Sequence, residues 1–232
     1  MNTNSAINYR PAAEEKQRFI TRTYMWMGLA LLISAVAAFY TSTSEQLLTM
    51  LFSNKAFGFK VVAIVELALV FILSMTLRSI SVFGAAVMFI AYSLINGITL
   101  SSIFLVFDIG SIAFCFGGAA AMFIVMSIYG KVTKQDLSKA GHYLLMAVLG
   151  LIVVSLINWL LKSPMLDRLI SMVTVVVFTG LTAYDTQKIL RTAQRANDSD
   201  AYKKLAIVGA LELYLDFINI FLSLLRLFGK RK

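Results

Sequence analysis

The 232 residues are 59% hydrophobic and only 14% charged, against roughly 45–50% apolar content in a soluble domain, which excludes a water-soluble globule. The net charge of +9 comes from basic residues set between and beyond long apolar runs, where they act as orientation signals, and this argues against nucleic acid as a partner. The single cysteine, Cys115, lies inside an apolar run, which excludes an intrachain disulfide and suits a small core residue.

Residues 1–22 form a polar arm, with Arg10, Lys16, Arg18 and Arg22 set around Glu14 and Glu15. It lacks the apolar stretch of a cleavable signal peptide, so the first helix is expected to be an uncleaved anchor. Residues 23–44, 79–107, 109–130 and 143–161 contain no charge, and each is long enough to cross a hydrocarbon layer of about 30 Å at about 1.5 Å per residue. Taken in chain order, the apolar segments predict helices near 23–44, 57–77, 81–107, 111–130, 140–161, 166–192 and 204–228. The reading is an all-α polytopic membrane protein with one seven-helix domain over 23–229.

The second segment carries Glu66 between apolar neighbours and ends at Arg78, read as an interfacial anchor able to reach back to a carboxylate. Asn96, with Ser93 and Thr99, and Asn158, with Ser155, supply uncharged oxygens suited to helix-to-helix hydrogen bonds or to an ion pathway. Gly97 and Gly180 suggest close helix approach. His142 stands at the mouth of the fifth segment and fits an interfacial position. Pro164 suits the first turn of the sixth helix.

Lys and Arg positions set the orientation. With the N-terminal arm and alternate loops in the cytoplasm, that side holds 13 basic residues and the other holds 8, which predicts a cytoplasmic N-terminus. The basic ending Arg226, Lys230, Arg231 and Lys232 then falls on the disfavoured side, leaving open a seventh segment that turns back.

The non-apolar positions of that segment are Gly209, Glu212, Asp216, Asn219, Ser223 and Arg226, spaced 3, 4, 3, 4, 3 along one helical face. An interfacial helix would carry several Lys or Arg on such a face; two acids instead point toward the bundle interior, where hydrocarbon offers no hydrogen bonds. The sixth segment ends with Thr182 one turn before Asp185, beside Lys188. Asp185 reads either as an interfacial carboxylate or as the partner of Asp216, about 18 Å along the returning helix. Two carboxylates meeting at low dielectric cannot both stay ionised cheaply, so such a pair shares a proton and senses pH. Oxygen-only sites of this kind suit a hard cation such as Ca²⁺. With one His, one Cys and no glycine-rich turn, no enzyme is expected, and no cofactor beyond Ca²⁺ as a transported ion.

Together, "TGLTAYDTQKIL" and "LYLDFINIFLSLLRLFG" resemble the paired motifs of the transmembrane Bax inhibitor motif family, in its bacterial inner-membrane branch, and the likeness extends over 20–229. The resemblance implies a seven-helix fold with the last helix in the centre and a pH-sensitive calcium leak or channel activity. It gives Asp185 and Asp216 the role of the family's pH-sensing pair. By residue chemistry the same two are the expected Ca²⁺ ligands, with Glu66, Arg78, Glu212, Asn219 and Asn96 along or supporting the ion pathway. A second strand of the family, members that bind a membrane-anchored protease, implies the alternative of an interaction protein in quality control or stress survival, acting through the N-terminal arm. Two positions depart from the family pattern. A single Arg78 follows Leu77 where a run of arginines would end the second helix, and Glu212 is an additional acid.

Overall fold

The structure, a computed structural model, describes residues 12–76 and 80–232. Among these residues the chain forms eight helices: α1 (Ala12–Thr43), α2 (Glu45–Thr76), α3 (Val82–Leu100), α4 (Ser102–Val106), α5 (Ile109–Val132), α6 (Ser138–Leu161), α7 (Pro164–Ala193) and α8 (Asp200–Phe228). Helix is what the composition demands, since every backbone N–H and C=O at membrane depth must find its partner within the segment. α3 and α4 form one crossing interrupted at Ser101. There the hydroxyls of Ser101 and Ser102 donate to the carbonyls of Ile98 and Thr99 at 2.7 and 2.9 Å, a local competition that bends helices. α2 turns by 88° between Glu45–Ser53 and Phe57–Val70. Among the described residues six helices are long and apolar enough to cross a membrane, and seven if the bent α2 counts as one span.

The start of α1 departs from the sequence reading. It begins at Ala12 rather than near 23, so much of the polar arm is helix; residues 1–11 lie outside the described residues. Hydropathy marks where a segment enters hydrocarbon, whereas helix formation depends on propensity, and Glu, Lys, Gln and Arg are good formers. Glu14 and Glu15 sit in the favourable first turn, and Arg18 reaches back to Glu14 at 3.7 Å. The inner face of this extension buries Phe19 against Tyr202. α2 likewise begins at Glu45 rather than near 57, its first turns being too polar to stand out by hydropathy; elsewhere the boundaries agree within about four residues, and Pro164 takes the first turn of α7 behind the N-cap Ser163.

α8 is the central helix, as the family resemblance implies, and packs against α1, α3, α5 and α7. Of its apolar window 67% is buried, against none for α6, which packs chiefly against α7 and faces outward with Trp159 and Leu160 exposed. The core is continuous along α8, from Ala206 and Ile207 through Leu213, Tyr214 and Phe217 to Phe221 and Leu225. Gly97 lets α3 approach α1 closely; a Cβ there would lie 2.6 Å from the Ser34 carbonyl oxygen and 2.6 Å from Ala37 Cβ. At Gly180 an added Cβ would meet Leu144 of α6 at 2.9 Å.

Polar contacts fasten the junctions at each end of the bundle. At the α7–α8 end, Lys204 Nζ donates to the Ile80 carbonyl at 3.1 Å, and Arg22 faces Asp198 at 3.7 Å. Arg191 pairs with Asp136 at 2.7 Å, while Gln187 takes up the Leu137 N–H and the Gln135 carbonyl. The Ser138 N–H and the Arg191 guanidinium hold Asp136 far below the usual carboxylate range. A depressed carboxylate contributes stability above its ordinary value near 4 and loses it only as pH falls through the lowered one, so this staple stays ionised at neutral pH. At the other end the tail returns onto the α4–α5 junction: Asp108 N–H donates to the Lys230 carbonyl at 2.9 Å, and Lys232 N–H to the Val106 carbonyl at 3.0 Å. α8 therefore runs through completely, and the turning-back alternative is set aside.

Replacing Gly97 by Val is expected to lower stability by about 1–3 kcal/mol, because the obstructing atoms belong to backbone and a Cβ that cannot rotate away. Thermal unfolding in detergent measures this, and an unchanged midpoint would contradict the close α1–α3 contact.

Candidate functional site

Most of the sequence-selected side chains fall into two clusters, on different faces of α8. The first lies in the α7–α8 seam. Asp185 is 7% exposed and Asp216 3%, and their carboxyl groups face each other across the antiparallel helices. Thr182, one turn earlier on α7, lies against Asp216 and donates its hydroxyl to the Phe178 carbonyl at 2.9 Å. Asp216 Oδ2 is buried without a hydrogen-bond partner, as is the Thr179 hydroxyl on α7.

A count from the apolar edges separates these two aspartates in depth, yet they meet. The reason is where α8 starts. On the register set by the Lys188–Glu212 pair, the end of α7 at Ala193 lies level with Ile207, so α8 projects about two turns beyond it. Those turns belong to the junction, which brings Asp216 to the level of Asp185. Asp185 is thus an interior acid and not an interfacial cap.

Glu212 also finds its place here. Lys188 Nζ approaches Glu212 Oε1 to 2.6 Å, one turn from the aspartates on each helix. The extra acid is neutralised across the seam, with side-chain exposures of 44% for Lys188 and 30% for Glu212 marking the solvent edge of the site. The aspartates lie below it.

The second cluster joins α2, α3, α8 and α1. Glu66 accepts from Asn96 Nδ2 at 2.5 Å and from the Thr99 hydroxyl at 2.7 Å, with Tyr92 beside it. Asn96 Oδ1 accepts the Tyr214 hydroxyl at 2.6 Å, and that hydroxyl lies 2.6 Å from Ser34 Oγ. Ser34 in turn donates to the Ser93 carbonyl at 2.7 Å. Glu66 and Asn96 are therefore close to each other but are not part of the aspartate pair. Successive helical residues turn by about 100°, so Tyr214 and Asp216 point to opposite sides of α8.

Other selected residues have local roles. Asn219 donates to the Leu215 carbonyl of its own helix at 2.8 Å and joins neither cluster. Asn158 accepts the Ser163 N–H at 3.1 Å, holding the α6–α7 turn instead of bridging helices. His142 is exposed against Tyr143, as expected of an interfacial residue, and Cys115 is buried. Arg78 lies outside the described residues.

Sequence reasoning left Tyr214, Ser34 and Tyr92 out of the site. A signal existed for Tyr214, because a phenol within an unbroken apolar helix requires a buried partner. Ser34 had none, since a hydroxyl can always bond back within its helix.

Among the described residues no three His, Cys, Asp or Glu side chains gather closely enough to hold a metal. Two carboxylates and a hydroxyl fall short of the six to eight oxygens a resident Ca²⁺ takes.

Residues 16–232 match the model of a protein family described as "Inhibitor of apoptosis-promoting Bax1". The chain is 43% identical to "Inner membrane protein YbhL" of Escherichia coli over 218 residues, which cover 93% of each protein. It is also 43% identical to an uncharacterised protein of Borreliella burgdorferi, covering 94% of each, and 37% identical to an uncharacterised protein of Deinococcus radiodurans over 226 residues, covering 97% of this chain and 96% of that one.

The Lys188–Glu212 contact predicts a double-mutant cycle with a coupling of about 1 kcal/mol, the range of partly exposed pairs. Lys188→Gln should lower the unfolding midpoint, and Glu212→Gln added to it should recover part of the loss. Strict additivity of the two changes would dismiss the pair.

Proposed function

The chain belongs to the Bax inhibitor family, and from that footing we propose that it is a multi-pass inner-membrane protein conducting a pH-controlled calcium leak, with Asp185 and Asp216 as the gate. The observation that carries the reading is the burial of both carboxyl groups against each other between the last two helices, one oxygen having no hydrogen-bond partner. A single proton shared between them leaves one negative charge, and the seam stays closed around it. Losing that proton sets two charges side by side. At about 4 Å and an effective dielectric near 20 they repel by roughly 4 kcal/mol, comparable to the burial of one or two large apolar side chains. The repulsion is relieved by separating α7 from α8, by water, or by a divalent cation that balances both charges. Closed at low pH and permeable at higher pH is the direction this physics gives. Glu212, although paired with Lys188, adds its charge beside both aspartates and so adds to the repulsion, whereas the Asp136–Arg191 staple, ionised throughout, contributes no switch in that range.

The test is calcium entry into liposomes carrying the purified protein and an internal dye, followed from pH 6 to pH 8. The parent should show rising flux with pH. Asp216→Asn and Asp185→Asn should flatten the profile, because an amide neither shares nor releases the proton, while Asp136→Asn should leave its shape unchanged. Flux and pH dependence unaltered in both seam variants would remove the basis of the proposal.

A further inference from the structure

At the bundle end opposite the aspartates' junction, a cleft of about 550 Å³ opens between the α6–α7 turn, the start of α7 and the end of α8. Lys162, Arg168, Arg226 and Arg231 line it, with Asp167 as the only acid on its walls. Among the described residues none of these four cations makes an ion pair. They come from separate parts of the chain: the turn, the first turns of α7, the last turn of α8 and the C-terminal tail. Lys162 holds a left-handed backbone conformation, φ 53°, which fixes the turn at this spot. Arg168 stands near the positive end of the α7 dipole, where a cation is disfavoured unless an anion lies between. Like charges from several elements, gathered around one cleft, call for an anionic occupant.

The surroundings say which anion. Leu161, Met165 and Phe228 are 65%, 76% and 67% exposed beside the cleft, so apolar side chains border the basic ones as they do at the level where lipid chains meet headgroups. A soluble anion would use only the charged half of this arrangement. We infer that the cleft binds the headgroup of an anionic phospholipid, its phosphate set among Lys162, Arg168, Arg226 and Arg231 and its acyl chains along Leu161, Met165 and Phe228. The bound lipid ties the beginning of α7 to the end of α8, the two helices that meet at the aspartate seam. The inference does not depend on the calcium reading.

The experiment uses the full chain in a neutral detergent. Thermal unfolding is followed with added phosphatidylglycerol, phosphatidylcholine or inorganic phosphate, and native mass spectrometry counts retained lipid. The parent should gain stability from phosphatidylglycerol alone and carry it into the spectrometer. Arg168→Gln with Arg226→Gln should lose both effects, whereas Lys139→Gln, at the other end of the bundle, should keep them. If the double variant does not fold, Lys162→Gln on the exposed turn decides by a reduced lipid shift. An equal shift with phosphatidylcholine, an equal shift with inorganic phosphate, or an undiminished shift in the cleft variants overturns the assignment.

Discussion

Exclusion of water from the α7–α8 seam is the constraint on which the rest of the structure depends. A carboxyl group at this depth costs several kcal/mol unless protein supplies what solvent would have given. The chain answers by placing α8 in the middle, where α1, α3, α5 and α7 surround it and its buried polar side chains can face protein. Lys188 meets Glu212, Asp185 and Thr182 meet Asp216, and Asn96 and Ser34 meet Tyr214. A peripheral helix could not hold these residues; α6, whose outer surface is Leu, Ile, Val and Trp, shows the composition that the lipid-facing position permits.

The two polar clusters share one helix. The α7–α8 seam and the Glu66–Asn96–Tyr214–Ser34 chain sit on opposite sides of α8, two residues apart in sequence. Rotation of α8 large enough to part the aspartates would also pull the Tyr214 hydroxyl from its partners, whereas movement of α7 away from a stationary α8 would leave that second cluster intact.

How much of this could be read from the residues differs by feature. Uncharged runs of twenty or more residues announce membrane crossings directly, because the bilayer's thickness fixes their length, and most helix boundaries followed. The starts of α1 and α2 did not, since their first turns are polar or charged and helical at once. The 3–4 spacing of Glu212, Asp216 and Asn219 correctly marked one face of α8. That the remaining faces are also buried was not visible, because leucine and phenylalanine serve equally against lipid and against protein; the central position came from the family resemblance. Within the site, Asp185 and Asp216 were identifiable as membrane acids, but their meeting hinged on where α8 begins, a register that no local pattern records. The Lys188–Glu212 contact is likewise a fact of interhelical register.

The short tail after α8 carries a mechanical implication. Lys230 and Lys232 join its backbone to the α4–α5 junction, and Lys204 fastens the opposite end of the same helix to Ile80. A rod held at both ends resists sliding along its own axis, so any piston-like displacement of Asp216 would have to break these contacts first.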